Sequence, residues 1–287
     1  MNPFAFKPVS TTLLLTLLAS TLSACGSGGD DNTTELIYEG STAPATLTST
    51  DQANHYLSSY QAFSSALDNS TDSASSVRTA NATALKTLYD LNDQQVGECG
   101  GTLSYSGSYD DLYGYMDMDY FADDFCNYDV VLDGYFGLIG YDDDFTMTFN
   151  LFSMRDTSNT VNLTVQGEVN YLESLNSTKT TANLILKNNL NDQNLRFENW
   201  VETLYTSSFP EELAVSGKLY HPVYGYVTVT TLEAMTTDYY GQADSGKIRL
   251  QGDNSTAYIT FYASSHLVEV DSDNDGIIDD SQVYNDN

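Results

Sequence analysis

The chain has 287 residues, of which 41% are hydrophobic, and this is enough to bury the core of one or two folded domains. Its 40 Asp and Glu residues against 10 Lys and Arg residues give a formal net charge of -30 at pH 7. A field of this sign repels phosphates and argues against nucleic-acid binding, whereas divalent cations, basic partners and neutral sugars are compatible with it.

The first residues carry the features of an export signal. A lysine precedes an apolar run over 12–22 that is too short to cross a bilayer and ends in small residues, which predicts a signal peptide over 1–24. The stretch Leu22-Ser-Ala-Cys25 resembles the lipobox of bacterial lipoproteins, and Gly26 after it resembles lipoproteins sorted to the outer membrane. The resemblance implies a lipid on Cys25, and acyl chains stabilise membrane attachment by about 0.8 kcal/mol per buried methylene. An ordinary secretory signal is the alternative.

Two runs of apolar residues at helical spacing follow a polar stretch. Residues 25–50 are rich in Ser, Gly, Thr and Asp, and this composition predicts a flexible tether. The two apolar runs predict an antiparallel helical hairpin over 51–93, with Thr50 or Asp51 as the first cap. The runs are Ala53, Leu57, Tyr60, Phe63 and Leu67, and then Val77, Ala80, Ala84, Leu88 and Leu91.

From Gly97 onward the hydrophobic period changes from helical to two, with Gly, Asn and Asp at the turns. This pattern predicts an antiparallel β domain over 97–287 and, with the helical hairpin covering its apolar face, an α+β fold. A meander is favoured, and closure into a sandwich or a partly closed barrel is left open. A short pattern of alternating residues that ends in Gly recurs along these strands. Its intervals are irregular and do not suit a solenoid or a propeller. The glycines are Gly134, Gly167, Gly217 and Gly252.

Cys99 and Cys126 are left after the lipid-bearing cysteine. In an exported protein an even number of cysteines usually pairs, so we predict a disulfide between them. A cysteine-ligated metal is the alternative, but these residues lack the neighbouring Cys or His that such a site needs.

A tyrosine-rich stretch lies between Leu103 and Phe145, where eight tyrosines interleave with Asp, and no Lys or Arg occurs from Thr87 to Met154. Tyrosine supplies a large flat surface at low entropic cost, so Tyr113 and Tyr115 are candidates for a ligand platform that binds a glycan or an envelope protein. The alternative is that these tyrosines are ordinary strand residues covering a half-exposed sheet.

Motifs of common enzymes are missing from the sequence. It contains no Gly-x-Ser-x-Gly, no His-Glu-x-x-His, no phosphate loop and no dinucleotide fingerprint, and His55, His221 and His266 have no triad context. A non-enzymatic binding or structural role is therefore predicted. A hydrolase stays an alternative, because a catalytic pair of carboxylates can hide among 40 acids.

The last motif is Asp271-Ser-Asp-Asn-Asp-Gly-Ile-Ile-Asp-Asp280, which places acids at positions 1, 3, 5 and 9 and Gly276 at position 6. It resembles the EF-hand loop, and more closely the Asp-rich loops of thrombospondin type 3 repeats and of bacterial surface proteins. The resemblance implies a Ca²⁺ site with the ligands Asp271, Asp273, Asp275 and Asp279 and the backbone carbonyl of Ile277.

Two features depart from the EF-hand pattern. Position 12 is Gln282 instead of the bidentate Glu, for which Asp280 is the substitute, and the residues before the loop read as a strand over 265–270. We therefore expect an affinity at the weak extracellular end, about 10⁻⁴ to 10⁻³ M. An acidic solvated tail is the alternative. Taken together, the lipobox, the paired cysteines and the Asp-rich loop resemble uncharacterised lipoproteins of marine Gram-negative bacteria, a resemblance that implies no activity.

Overall fold

A computed structural model describes residues 35–61, 88–110, 112–127, 130–208, 210–237 and 243–285. Fourteen strands form one open sheet in which each strand pairs antiparallel with the next strand along the chain. The strands are β1 Leu88–Val96, β2 Gly100–Asp110, β3 Tyr115–Asn127, β4 Val130–Tyr141, β5 Asp144–Asp156, β6 Asn162–Ser174, β7 Ser177–Asn188, β8 Gln193–Tyr205, β9 Glu212–His221, β10 Gly225–Thr237, β11 Ala243–Gln251, β12 Thr256–Tyr262, β13 Ser265–Asp271 and β14 Asp280–Asn285. Residues 50–61, here called α1, are helical.

The expected α+β class with a helical hairpin is wrong, because the described chain is nearly all β and has one short helix. The predicted second helix is the source of the error. Its first residues lie outside the described part of the chain, but Leu88 and Leu91 belong to β1, which pairs with β2 from Leu88 to Val96. The backbone groups of this segment therefore bond to β2, and a partner strand outweighs the weak local preference for a helix.

The core lies on one face of the sheet, here called the inner face, and the other is called the outer face. Alternate residues point inward, such as Val227 and Val229 on β10 and Val268 and Val270 on β13, all at most 2% exposed. Helix α1 packs on this inner face through Ala53, Tyr56 and Leu57, which belong to the same buried cluster. The helix is held by polar contacts as well. The Tyr56 hydroxyl donates to Gly225 O at 2.9 Å, and the Tyr60 hydroxyl donates to Glu202 Oε1 at 2.6 Å.

The segment before α1 also belongs to the folded part, although the sequence placed it in the tether. Ala45 and Leu47 are completely buried. The backbone of Ala45 bonds to Tyr226 O at 2.8 Å, and Leu47 N donates to Ser255 Oγ at 2.8 Å. Ala45 and Leu47 are therefore part of the fold and not of a tether, because they find partners far along the chain, on β10 and in the β11–β12 turn.

The recurring pattern that ends in Gly has a structural explanation. Gly134, Gly167 and Gly217 lie beside irregularities in the strand register, where one strand carries an extra residue. At Gly217 the backbone φ is +136°, and a Cβ atom there would come 2.5 Å from the Cα of Trp200. The glycine therefore lets β8 and β9 approach closely where the sheet bends. Gly252 differs, since it lies in the β11–β12 turn, where its N donates to Ser255 O at 2.9 Å.

We expect Gly217→Ala to lower the free energy of unfolding by about 1–3 kcal/mol, the usual cost of a strained backbone conformation. Urea unfolding followed by far-UV circular dichroism measures this change. Ser216→Ala, at the neighbouring position on the same strand, should change stability by no more than about 0.5 kcal/mol. Equal effects of the two substitutions would show that the close approach of the strands at Gly217 has no energetic weight.

The predicted disulfide is confirmed. Cys99 and Cys126 are bonded, with Cα atoms 5.1 Å apart. The bond joins the β1–β2 turn to the end of β3, where Cys99 N also donates to Cys126 O at 3.2 Å.

Candidate calcium loop

The Asp-rich motif forms the connection between β13 and β14. Strand β13 ends at Asp271 and β14 begins at Asp280, so the segment before the loop is a strand. In β13 the buried residues His266, Val268 and Val270 alternate with less buried ones. Residues 272–276 are acidic, polar or Gly and have no apolar side chain to bury, so the strand ends there.

Three carboxylates converge in this loop. One oxygen from each of Asp271, Asp273 and Asp275 lies within 4.8 Å of the others. Asp271 is only 4% exposed, whereas the other two are exposed to solvent. Within the described residues, none of the ion pairs involves an acid of the loop. The cluster therefore presents several negative oxygens that a hard cation can neutralise.

Backbone amides hold the loop in this shape. The two Asp271 oxygens accept from Asp275 N at 3.2 Å and from Gly276 N at 2.9 Å. Asp275 Oδ1 accepts from Ile277 N at 2.8 Å. Gly276 has φ +88°, a conformation that residues with a Cβ rarely adopt, which explains glycine at position 6 of the motif.

The structure does not bring every predicted ligand into the cluster. Asp279 Oδ2 accepts instead from Ser272 N at 2.8 Å and from Ser272 Oγ at 2.5 Å. These hydrogen bonds, first that of the hydroxyl and then that of the amide, lower the pKa of the Asp279 carboxyl. The Asp279 bonds close the loop by joining its first and last residues. The role of the Ile277 carbonyl as a ligand stays a prediction, and the Ile277 side chain is 66% exposed.

Asp280 has a role that the sequence did not indicate. Its carboxylate accepts from Thr50 N at 2.9 Å and Thr50 Oγ1 at 3.1 Å, so it sits at the N-terminus of α1 instead of filling position 12 of the loop. A negative group at this end of a helix binds its free amides and stabilises its dipole. The bond from Thr50 N lowers the pKa of Asp280. Tyr284 on β14 adds a second link to α1, because its hydroxyl donates to Asp51 Oδ1 at 2.6 Å.

Comparison of the chain with protein-family models, with curated proteins and with solved structures finds no match. The site is therefore interpreted from its own residues. Among the residues described, no helix has the length and apolar character needed to cross a membrane. The lipobox and Cys25 lie outside the described residues.

The tyrosines of the predicted ligand platform lie at the other end of the sheet. Tyr113 is in the β2–β3 turn and is 71% exposed, and Tyr115 begins β3. The Tyr115 ring packs edge to face on Tyr141, with centroids 5.3 Å apart. Because successive turns of a meander alternate between its two ends, the β2–β3 turn and the calcium loop are at opposite ends.

His221, one of the buried histidines, is a packing residue. Burial, followed by the nearby His55, lowers the pKa of His221 to about 4. His221 Nδ1 accepts from Val223 N at 3.2 Å, and its ring stacks on Tyr224 with centroids 4.5 Å apart. A neutral imidazole that accepts from the backbone fixes the β9–β10 turn against α1.

Proposed function

We propose that this protein is a non-enzymatic, lipid-anchored protein of the cell envelope whose C-terminal loop binds Ca²⁺. The observation that carries the calcium assignment is the convergence of the Asp271, Asp273 and Asp275 oxygens in a loop shaped by a left-handed Gly276. Oxygen ligands on alternate residues of a tight loop are the arrangement that Ca²⁺ prefers. The anchor rests on the lipobox at Cys25 and on the resemblance to outer-membrane lipoproteins.

Calcium has a structural role in this proposal. Bound to the three carboxylates, the ion neutralises the repulsion among them and fixes the loop that leads into β14. That strand carries Asp280 and Tyr284, which bond to Thr50 and Asp51 at the start of α1. The loop therefore supports the attachment of the N-terminal segment, which leads to the lipid, to the last strands of the sheet.

The test is thermal unfolding of the chain from residue 25 with Cys25→Ser, which removes the lipid, in Ca²⁺, in Mg²⁺ and in chelator. A ligand that binds only the folded state adds about 1.4 kcal/mol of stability at ten times its Kd, so millimolar Ca²⁺ should raise the Tm in a concentration-dependent way. Mg²⁺ should have a much smaller effect, because it requires a stricter octahedral geometry.

Asp273→Ala should abolish the shift, because it removes the ligand oxygen at position 3 of the loop. Asp253→Ala is the matched control, since Asp253 is an exposed acid in the β11–β12 turn at the same end of the sheet and outside the carboxylate cluster. The calcium assignment is abandoned if Asp273→Ala retains the full shift, if Asp253→Ala removes it, or if direct Ca²⁺ titration shows no binding.

A further inference from the structure

On the outer face of the second half of the sheet, β8 to β13, tyrosine rings and carboxylates lie side by side, and Lys and Arg side chains contact both. Lys218 Nζ lies 4.9 Å from the centre of the Tyr226 ring and 2.8 Å from Glu198 Oε1. The Arg196 guanidinium carbon lies 4.9 Å from the centre of the Tyr220 ring, and Arg196 Nη2 lies 2.6 Å from Glu198 Oε2. Each cation thus binds a ring and a carboxylate together.

A third group on the same face repeats this arrangement. Lys247 Nζ lies 5.1 Å from the centre of the Tyr258 ring and 3.7 Å from Glu269 Oε2. Strands β8 to β13 therefore provide three cations, each shared between an aromatic ring and an acid. In this half of the sheet, cationic side chains of the same chain therefore contact the rings and neutralise the acids.

Among the described residues, the outer face of β3 and β4 carries rings and acids without such cations. Asp117, Asp119 and Phe121 point outward on β3, opposite the inward Met116 and Met118. Residues 88–154 contain 14 Asp and Glu residues and no Lys or Arg. In the described part of the chain, this half of the sheet has a salt bridge between Arg155 and Asp124. Asp124 lies near the end of β3 that is remote from Asp117.

Large apolar side chains lie among these acids. Ile139 and Tyr141 on β4 are each 49% exposed, and Phe121 on β3 is 53% exposed. Across the two strands, Asp117 pairs with Ile139 and Phe121 pairs with Tyr135. We call the set Asp117, Asp119, Phe121, Tyr135, Ile139 and Tyr141 the acidic outer face.

Tyr135 lies among the carboxylates of this surface. Its hydroxyl donates to Asp119 Oδ1. Burial, this hydrogen bond and the carboxylates of Asp119 and Asp117 raise the pKa of Tyr135 to about 12. A positive group above the ring would neutralise these carboxylates, as Lys218 does for Glu198 on the other half of the sheet.

We propose that the acidic outer face binds a polypeptide segment rich in Arg and Lys, whose cations take the places that Arg196, Lys218 and Lys247 occupy on the other half. Outward residues repeat about every 6.8 Å along a strand, and neighbouring strands are about 4.8 Å apart, so a ligand with several cationic side chains engages several carboxylates at once. A single metal ion fits this face poorly, because in the described chain the group of three acids near enough to hold one ion is that of the C-terminal loop.

The test is fluorescence anisotropy of a labelled dodecapeptide of alternating Arg and Ser, titrated with the chain carrying Cys25→Ser. Chelator in the buffer makes the result independent of the calcium proposal. Asp117→Asn with Asp119→Asn should raise the Kd about fivefold, as expected for the loss of two exposed ion pairs. Glu233→Gln with Asp253→Asn removes the same charge from exposed positions on the other half and should change the Kd less than twofold.

A second pair of substitutions tests the rings at constant net charge. Phe121→Leu with Tyr141→Leu should raise the Kd about fivefold, because the loss of each exposed cation–π contact costs about twofold or more. Circular dichroism and Tm confirm that each variant is folded. No binding of the peptide to the parent chain overturns the proposal, and so do equal effects of the two acid pairs or an unchanged Kd in the ring variant.

Discussion

Trp200→Ala is expected to lower the free energy of unfolding by about 3–5 kcal/mol, the range found when a buried aromatic side chain is removed from a core. Trp200 is 1% exposed and packs edge to face on Phe197, with ring centroids 5.2 Å apart. Its ring also packs on that of Tyr60 of α1, with ring centroids 5.4 Å apart. The substitution therefore opens a cavity between the sheet and the helix. Far-UV circular dichroism in urea measures the change, since the variant loses the chain's single tryptophan.

A hydrogen bond adds to this effect. Trp200 Nε1 donates to Glu202 Oε1 at 3.0 Å, and Glu202 is only 2% exposed. Trp200→Phe keeps most of the ring volume but removes this donor, so it should cost about 1–3 kcal/mol. A loss below about 1 kcal/mol for Trp200→Ala would show that the helix is not closely packed on the sheet at this position.

Replacing both disulfide cysteines, Cys99→Ser with Cys126→Ser, is expected to lower the free energy of unfolding by about 3–4 kcal/mol. The two residues are 27 positions apart, and closing a loop of this length restricts the unfolded chain by that amount in the chain-entropy model. Urea unfolding without reductant measures the difference. The parent chain in excess dithiothreitol is the control, and it should match the double variant. A double variant as stable as the oxidised parent would contradict the prediction.

Much of the sheet could be predicted from the sequence, because the alternation of apolar and polar residues is a local signal. The same local signals failed at β1. Leu88 and Leu91 are three residues apart, which fits a helix, and only the presence of β2 as a partner decides for a strand. The first helix was predicted correctly over the described residues. The inward packing of Ala45 and Leu47 could not be predicted, because their partners Tyr226 and Ser255 are far along the chain.

The candidate calcium loop shows the same division. The spacing of Asp271, Asp273 and Asp275 predicted that their side chains converge, since this depends on a few adjacent residues and one glycine. The position of Asp279 was not predicted, because Ser272 competes for its carboxylate. The cap formed by Asp280 on Thr50 joins residues 230 positions apart, and no motif encodes such a pair.

The order of the strands has a consequence for how the protein matures. Every strand pairs with its neighbour in sequence, so hairpins can zip together one after another as the chain emerges, with little loop-closure entropy at each step. Helix α1 precedes all of them, yet its polar partners include Glu202, Gly225 and Asp280 on later strands. The contacts of α1 with Asp280 and Tyr284 therefore form only after β14, the last strand, has been added. Complete docking of α1 thus requires the whole sheet. A chain truncated before β14 would lose the cap on Thr50 and the bond to Asp51, whereas Ala45 and Leu47 would keep their partners Tyr226 and Ser255.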